Sequence, residues 1–339
     1  MSTAPMVSTY SMWSLFRNCR KAVDWRYLQQ LVPLHGDHNL YFGSLIHECL
    51  QVWHQRRDLA EVLALIGKLC PNHLHDENQR RDWHLATAMM NAYAARYAAE
   101  DFEVITLEKN FEGPIVNPAT GAASRSFVLA GKVDGIVRIG GEHFILEHKT
   151  AAQIDGDYLE KLWTDFQITI YACYVEQTMG IPITGILYNV LVKAKLQQGK
   201  GETEEEYQTR RAELLAKSKT GKTTAKRRMP ETDEEFQQRL DEKYADPTML
   251  HREMLYLSRD RFDILRSELW ELTQAFLDAR RRGVFYQNTA FCFNYQRPCP
   301  YFALCRSNGN PNLIDNFYQR VAANEELRVL PNDPTDSAF

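Results

Sequence analysis

The sequence predicts an α/β fold, a mixed sheet flanked by helices, and three stretches predict it. Two short apolar runs, 133–139 and 143–146, flank Gly140-Gly141 and read as a β-hairpin. Residues 157–180 place Leu159, Leu162, Trp163, Phe166, Ile170, Cys173 and Tyr174 at helical spacing. Residues 185–193 are apolar on both faces, as in a strand covered on two sides. Strand, strand, helix, strand in that order makes a mixed central sheet.

The other elements follow along the chain. Residues 11–31 read as a helix with a partly regular face of Trp13, Phe16, Val23, Trp25, Tyr27 and Leu28, and Cys19 lies within it. A second helix begins near Leu40, with Ile46, Leu50 and Trp53 on one stripe and Gly43, His47 and His54 on another. Cys70-Pro-Asn-His-Leu-His75 holds a thiol and two imidazoles but fits no zinc spacing, so it reads as a polar loop. Residues 80–99 predict a helix, and 102–111 alternate like a strand with Glu108 on one face. Residues 249–282 read as one long amphipathic helix, and the tail beyond Asn308 as polar and partly loose.

Between 197 and 247 the composition shifts. Acidic clusters surround a basic tract of Lys217, Lys219, Lys222, Lys226, Arg227 and Arg228. Thr220-Gly-Lys-Thr223 imitates a phosphate-binding loop, but Ala216 stands where that loop needs glycine, which excludes nucleotide binding there. The segment reads either as a mobile, partly helical insertion with solvated charges or as a basic flap over a phosphate backbone.

The 339 residues, 44% hydrophobic and 25% charged, suit one large soluble domain. A formal charge of −4 gives no global basic signature, so any nucleic-acid surface must be local. Residues 1–21 lack a signal-peptide core, and no apolar run approaches membrane-spanning length; a cytoplasmic protein is expected. In that compartment seven cysteines do not form a disulfide framework. Cys49, Cys70 and Cys173 lie in apolar patterns as small buried hydrophobes. Cys19, Cys292, Cys299 and Cys305 differ, because three of them crowd a loop-rich segment.

The chemistry concentrates in the hairpin. Asp134 sits in its first strand, and Glu147 and Lys149 end the second on a shared face, opposite Phe144, Leu146 and His148. Strand pairing can bring two carboxylates and one ammonium into a bay at a sheet end, although charges there also commonly form a solvated rim. Gln167 and Tyr171, one helical turn apart, project from one face. His47 on local grounds alone is a core-edge histidine.

Taken together these pieces resemble the PD-(D/E)XK nuclease superfamily, on the branch of the RecB and AddB nuclease domains, the CRISPR-type iron–sulfur nuclease and related phage exonucleases. The resemblance spans about 11–305 and rests on four ordered signatures: Gly43-Ser-Leu-Ile-His47, Gly131-Lys-Val-Asp134, Glu147-His-Lys149 and Gln167-Ile-Thr-Ile-Tyr171. It implies a restriction-endonuclease-like core with added helical lobes, and a DNA nuclease, an exonuclease by preference, in phage, recombination or CRISPR-like processing. It implies Mg²⁺ or Mn²⁺ on His47, Asp134, Glu147 and the His148 carbonyl. Lys149 would orient or deprotonate the attacking water, and Gln167 and Tyr171 would organise the site. Residues 292–305 would close onto Cys19, so that Cys19, Cys292, Cys299 and Cys305 hold a 4Fe–4S cluster, or failing that zinc; the gap from Cys292 to Cys299 is wider than the family pattern. The implied partners are DNA and a recombination or single-strand-annealing protein, with no membrane. A structure-specific endonuclease and a non-catalytic DNA-binding accessory are the rival readings, and intact Asp134, Glu147 and Lys149 argue against the second.

Overall fold

A computed structural model of the protein describes residues 4–36, 38–294, 297–324 and 327. In chain order it builds β1 (Met6–Ser8), α1 (Tyr10–Asn18), α2 (Arg20–Val23) with a π-helical turn (Asp24–Leu28), β2 (Leu31–Pro33), α3 (His38–Arg56), α4 (Leu59–Leu69) and α5 (Glu77–Arg96). The central segment holds β3 (Glu103–Val116), β4 (Ala123–Ile139), β5 (Glu142–Ala151), α6 (Gly156–Leu162), α7 (Phe166–Met179) and β6 (Ile183–Val192). Then come α8 (Glu204–Lys217), α9 (Asp233–Tyr244), β7 (Leu250–Tyr256) and α10 (Asp260–Arg282). The chain closes with β8 (Phe293–Asn294), β9 (Arg297–Pro298), α11 (Phe302–Arg306), α12 (Pro311–Phe317) and β10 (Tyr318–Arg320).

The six-stranded sheet has the order β1-β4-β5-β6-β7, with β3 on the other edge of β4. β4 is 17 residues long and shares one edge between two partners. β1 runs parallel to it at Phe127, Val128 and Leu129, and β5 runs antiparallel from Ile139 back to Gly135. The last β4–β5 pair is Gly135 with Leu146; beyond it β5 pairs with β6 alone, parallel, and β7 closes the sheet antiparallel to β6. The two hairpin strands therefore fork at Asp134. The hairpin turn forms because Gly140 and Gly141 both take positive φ (57° and 90°), the pair of values a two-residue turn between twisted strands demands. Gly131 is fixed by close approach, since a Cβ there would lie 2.5 Å from the Phe111 ring.

Helices cover both faces. α1, α7 and α10 pack Trp13, Ile170, Val175 and Phe276 against Phe127, Ile145 and Ile186 of the sheet. On the other side α3, α5 and α9 contribute Leu50, Met89, Phe236 and Leu240 to a second core with Leu191 and Leu250. Each such side chain stabilises the fold by about 1.5–3 kcal/mol relative to exposure. A third, smaller core of Cys19, Trp25, Leu31, Tyr301, Leu304 and Tyr318 joins the two ends of the described chain. Among the described residues no helix is long and apolar enough to cross a membrane.

The α/β class and mixed sheet agree with the sequence reading, and several boundaries do not. The helix expected over 11–31 breaks at Cys19, whose backbone is extended (φ −157°, ψ 109°). The helix over 157–180 breaks before Asp165, whose carboxylate caps α7 by accepting from the Gln167 N–H at 2.8 Å. Residues 250–256, expected as helix, form a strand instead, because the open edge of β6 takes up its backbone groups and outweighs the local apolar spacing. α9, assigned to a mobile insertion, buries Phe236, Leu240 and Tyr244, so only the first half of 197–247 is an appendage. The supposedly loose tail forms α12 and β10, the latter paired with β2. β1 and α4 had no sequence assignment at all.

Candidate active site

The fork between β4 and β5 assembles the predicted residues. Asp134 is the first β4 residue past the hairpin pairing, and its Oδ2 accepts the His148 N–H at 2.8 Å, satisfying a backbone donor that the divergence of the strands leaves without a β4 partner. Its Oδ1 lies 3.3 Å from His47 Nδ1, delivered by α3. Glu147 and Lys149 share the face of β5 that looks toward α7. Lys149 Nζ donates to Glu147 Oε1 at 2.6 Å and to Gln167 Oε1 at 2.8 Å. Gln167 Nε2 in turn donates to Glu147 Oε1 at 3.1 Å and to the Tyr171 hydroxyl at 2.9 Å. All four signatures thus meet in one place.

Glu108 stands across from Asp134 in the β3–β4 register, between the pairs Leu107–Gly135 and Lys109–Val133. It takes φ +49°, a strained value for a non-glycine strand residue, and its carboxylate pairs with Lys132 within electrostatic reach of Asp134 and His47.

The electrostatics separate the two carboxylates. Burial is the largest influence on Asp134 and favours its neutral form, but the charge and hydrogen bond of His47 and the His148 N–H together hold it well below the usual carboxylate range. Burial pushes the Glu147 carboxyl up to about 7 against the pull of Lys149. Lys149 loses by burial and gains more from the Glu147 carboxylate, so it stays an ammonium. His47 follows the same logic, raised by Asp134 in spite of burial. Glu147 Oε2 is buried and has no hydrogen-bond partner, an orphaned acceptor.

Two buried carboxylates, one with a vacant lone-pair direction, and an imidazole are the donor chemistry of a hard divalent cation. Among the described residues no three His, Cys, Asp or Glu side chains already stand in metal-ligating geometry.

The His148 side chain turns to the opposite face, into a polar network that sequence reasoning missed. Asn189 Nδ2 meets His148 Nδ1 at 3.3 Å and donates to the Tyr93 hydroxyl at 2.7 Å. That hydroxyl also lies 3.1 Å from His54 Nε2 and accepts from Arg252 at 3.1 Å. Arg252 reaches Asn189 Oδ1 at 2.6 Å and grips Glu100 with both terminal nitrogens, while its guanidinium lies 3.8 Å from the Tyr97 ring centroid. Burial lowers His148 to about 3, and His54 also falls well below its ordinary value. These residues come from α3, α5, β6, β7 and the loop after α5, with no shared spacing to find them by; Arg252 in particular lay in a segment read as helix.

Cys19, Cys292, Cys299 and Cys305 are free thiols lining one small cavity in the third core, beside Ala22, Asn288 and Tyr301. Trp25 Nε1 lies 3.4 Å from Cys305 Sγ, and the Asn288 N–H 3.5 Å from Cys19 Sγ. Burial, and then the neighbouring sulfurs, raise Cys299.

Among solved structures the chain is similar to the crystal structure of SSO0001, with 12% identity, 62% of this chain and 77% of that chain covered, and a TM-score of 0.21. No curated protein matches. The PD-(D/E)XK nuclease superfamily matches residues 8–306, the span that carries the fork, its helices and all four clustered cysteines, and the chain belongs to that superfamily.

Proposed function

We propose that the chain is a metal-dependent deoxyribonuclease working from DNA ends. The observation that carries this reading is the Lys149 ammonium held between Glu147 and Gln167, next to the unpartnered Glu147 Oε2 and the ionised Asp134. Superfamily members typically use Mg²⁺ or Mn²⁺. Such an ion supplies Lewis acidity at the phosphate and a more acidic water. His47, Asp134, Glu147 and the His148 carbonyl would hold it.

The chain's own groups then divide the work. Lys149, kept cationic by Glu147, presents N–H donors that orient a water and stabilise charge building on the phosphate oxygens. While that pairing lasts it cannot also serve as the base, which favours the orienting role over the deprotonating one. Gln167, fixed by the Tyr171 hydroxyl, keeps Lys149 and Glu147 at their spacing. His148 acts through its backbone alone, since its ring faces away.

The four cysteines sharing one cavity support a second element, a 4Fe–4S cluster, or zinc, as a structural clamp between the chain ends. Anaerobically purified protein should show a visible absorption band with bound iron, or bound zinc without colour; protein lacking both removes the clamp.

The nuclease reading is tested by digesting linear and covalently closed circular DNA with Mg²⁺ or Mn²⁺, alongside Lys149→Ala. Loss of the linear form only, abolished by the substitution, is expected. Cutting of the circle turns the reading to an endonuclease, and an active Lys149→Ala removes the mechanism.

A further inference from the structure

α1 turns one face toward α7, and Tyr10, Ser14 and Arg17 lie along it at helical spacing. Tyr10 stands at the fork end, its ring centroid 6.2 Å from that of Phe166, the residue before Gln167. Its hydroxyl is raised by burial and then by the Asp165 charge, with smaller effects from Lys149 and Glu147, so it stands within electrostatic reach of the fork. Two turns on, the Arg17 guanidinium lies 4.7 Å from the centroid of the same Phe166 ring. Past the break at Cys19, the Arg20 guanidinium lies 4.8 Å from the Phe16 centroid and 4.8 Å from the Tyr286 centroid. The Lys21 N–H donates to the Tyr286 carbonyl at 3.1 Å, which ties that residue to α2. Gln287 and Asn288, next in the chain, line the cysteine cavity. Tyr10, Arg17, Arg20 and Tyr286 thus form a strip from the fork to the third core.

The two arginines of this strip are spent on rings alone. Arg210, Arg239, Arg252 and Arg259 also lie on aromatic rings, but each holds a carboxylate as well. Arg17 and Arg20 have no carboxylate partner among the described residues, and Arg17 is exposed. The acids of the adjoining segments are engaged, Asp24 by Lys21 at 2.7 Å and Asp165 by the first turn of α7. A ring against the face of a guanidinium fixes its plane and leaves the N–H edge for another acceptor. Tyr286, 55% exposed, leaves ring surface at the far end of the strip. Cations with unspent edges in one line, with an exposed ring beside them, are what a single nucleic-acid strand needs: charge for its phosphates and a platform for a base. The stretch from Tyr10 to Arg17 covers about 10 Å of helix axis at ~1.5 Å per residue, no more than about three nucleotide steps at ~3.4 Å each.

We infer that this strip is a single-strand track: Arg17 and Arg20 each take a backbone phosphate of the DNA strand whose scissile bond lies in the fork, and Tyr286 takes a base. The inference rests on the nuclease reading above and names the form of its substrate, one strand led along α1 toward the cysteine lobe.

The test is the binding of a fluorescent oligothymidylate, read by anisotropy over a range of salt and without divalent cation, so that nothing is cut. Arg17→Gln and Arg20→Gln should each weaken binding roughly tenfold, the worth of one hydrogen bond to a charged group. Each should also lower the slope of log K against log salt by about 0.7, the share of one phosphate on a single strand. Arg17→Lys keeps the charge without the planar edge, so it should keep the slope and lose part of the affinity. Lys68→Gln removes an exposed cation from α4, which packs in the second core, and should leave affinity and slope at wild type. A lowered melting temperature with an unchanged slope in both arginine variants would make these pairs structural staples and overturn the track alone. An equal loss in Lys68→Gln would overturn it too, since any surface cation would then serve. A chain that binds no single strand overturns the track whatever it cuts. A chain with the expected slopes that cuts no DNA in Mg²⁺ or Mn²⁺ overturns the nuclease reading and leaves the track as a binding surface.

Discussion

The two faces of β5 carry similar side chains and are built for different ends. Toward α7, Glu147 and Lys149 form an ion pair with Gln167, open enough that Lys149 keeps 29% of its side-chain exposure, and one carboxylate oxygen lacks a partner. Toward α5, His148 enters a network closed by the Arg252–Glu100 pair, where Glu100 keeps 4% exposure and both of its oxygens are engaged; the atoms without partners there, His148 Nε2 and His54 Nδ1, belong to imidazoles that burial keeps neutral. A polar cluster with an unmet acceptor at a strand fork is available for ligand chemistry. A polar cluster that meets its own charges in the interior holds layers together. Changes on the first face should cost activity before stability, and changes on the second should do the reverse.

Arg252→Met gives the largest stability effect. It leaves buried Glu100 with only the longer, 3.5 Å pairing to Arg57, and removal of the main partner from such a pair costs up to about 3–5 kcal/mol. Urea unfolding should register that loss, while the folded fraction still cleaves DNA; full stability with lost cleavage would make the α5 face catalytic and end the comparison. Tyr93→Phe deletes the hydroxyl shared by Asn189, His54 and Arg252, and the polar groups it strands should cost about 1–3 kcal/mol by the same measurement.

This asymmetry also marks what the sequence could disclose. Asp134, Glu147, Lys149, Gln167 and Tyr171 were legible because hairpin and helix periodicities place them locally, within about forty residues of one another. His47 was legible only through ordered motifs, since its meeting with Asp134 depends on how α3 docks. Arg252, Glu100, Tyr93 and Asn189 were invisible, for each is an unremarkable residue until β7 pairs with β6. β7 itself was misread because its apolar residues fit a helical stripe, and only the open sheet edge decides between the two.

Smaller effects follow from the Glu147 proton. Its carboxyl is raised to about 7 by burial, so the folded protein holds that proton to a higher pH than the unfolded chain, and carboxylate becomes available to a cation only as pH climbs through 7. Asp134, held low, stays ionised throughout. Mn²⁺ affinity measured by calorimetry should therefore gain at least about tenfold per unit as pH rises toward 7 and flatten above it, with protons released on binding below that point. His47, raised by Asp134, must also shed a proton to serve as a ligand, so Glu147→Gln should lower this slope without abolishing it. An affinity independent of pH from about 5 to about 7, above the range of an ordinary carboxylate, would remove Glu147 from the ligand set.

The smallest expected effect comes from the region between β6 and β7, where the contrast of the two β5 faces recurs on a larger scale. α8 and α9 both open with a capping box and three acidic residues in the first turn, yet α9 buries Phe236, Leu240 and Tyr244 whereas α8 buries nothing. Around α8 the ends of the arm meet, with the Glu202 N–H donating to the Arg228 carbonyl at 3.0 Å. A helix with no buried face adds no core, so replacing residues 203–227 with a short glycine–serine turn should change the unfolding free energy by no more than about 0.5 kcal/mol. Lys217, Lys219, Lys222 and Lys226 are all exposed, and none meets a carboxylate among the described residues. If these lysines lie on DNA, the same deletion should reduce the salt dependence of binding by about 0.7–0.9 for each phosphate they neutralise, uniformly across sequences. Unchanged stability with an unchanged salt slope would leave the arm as a solvated appendage, and a large drop in stability would mean that α8, like α9, belongs to the core.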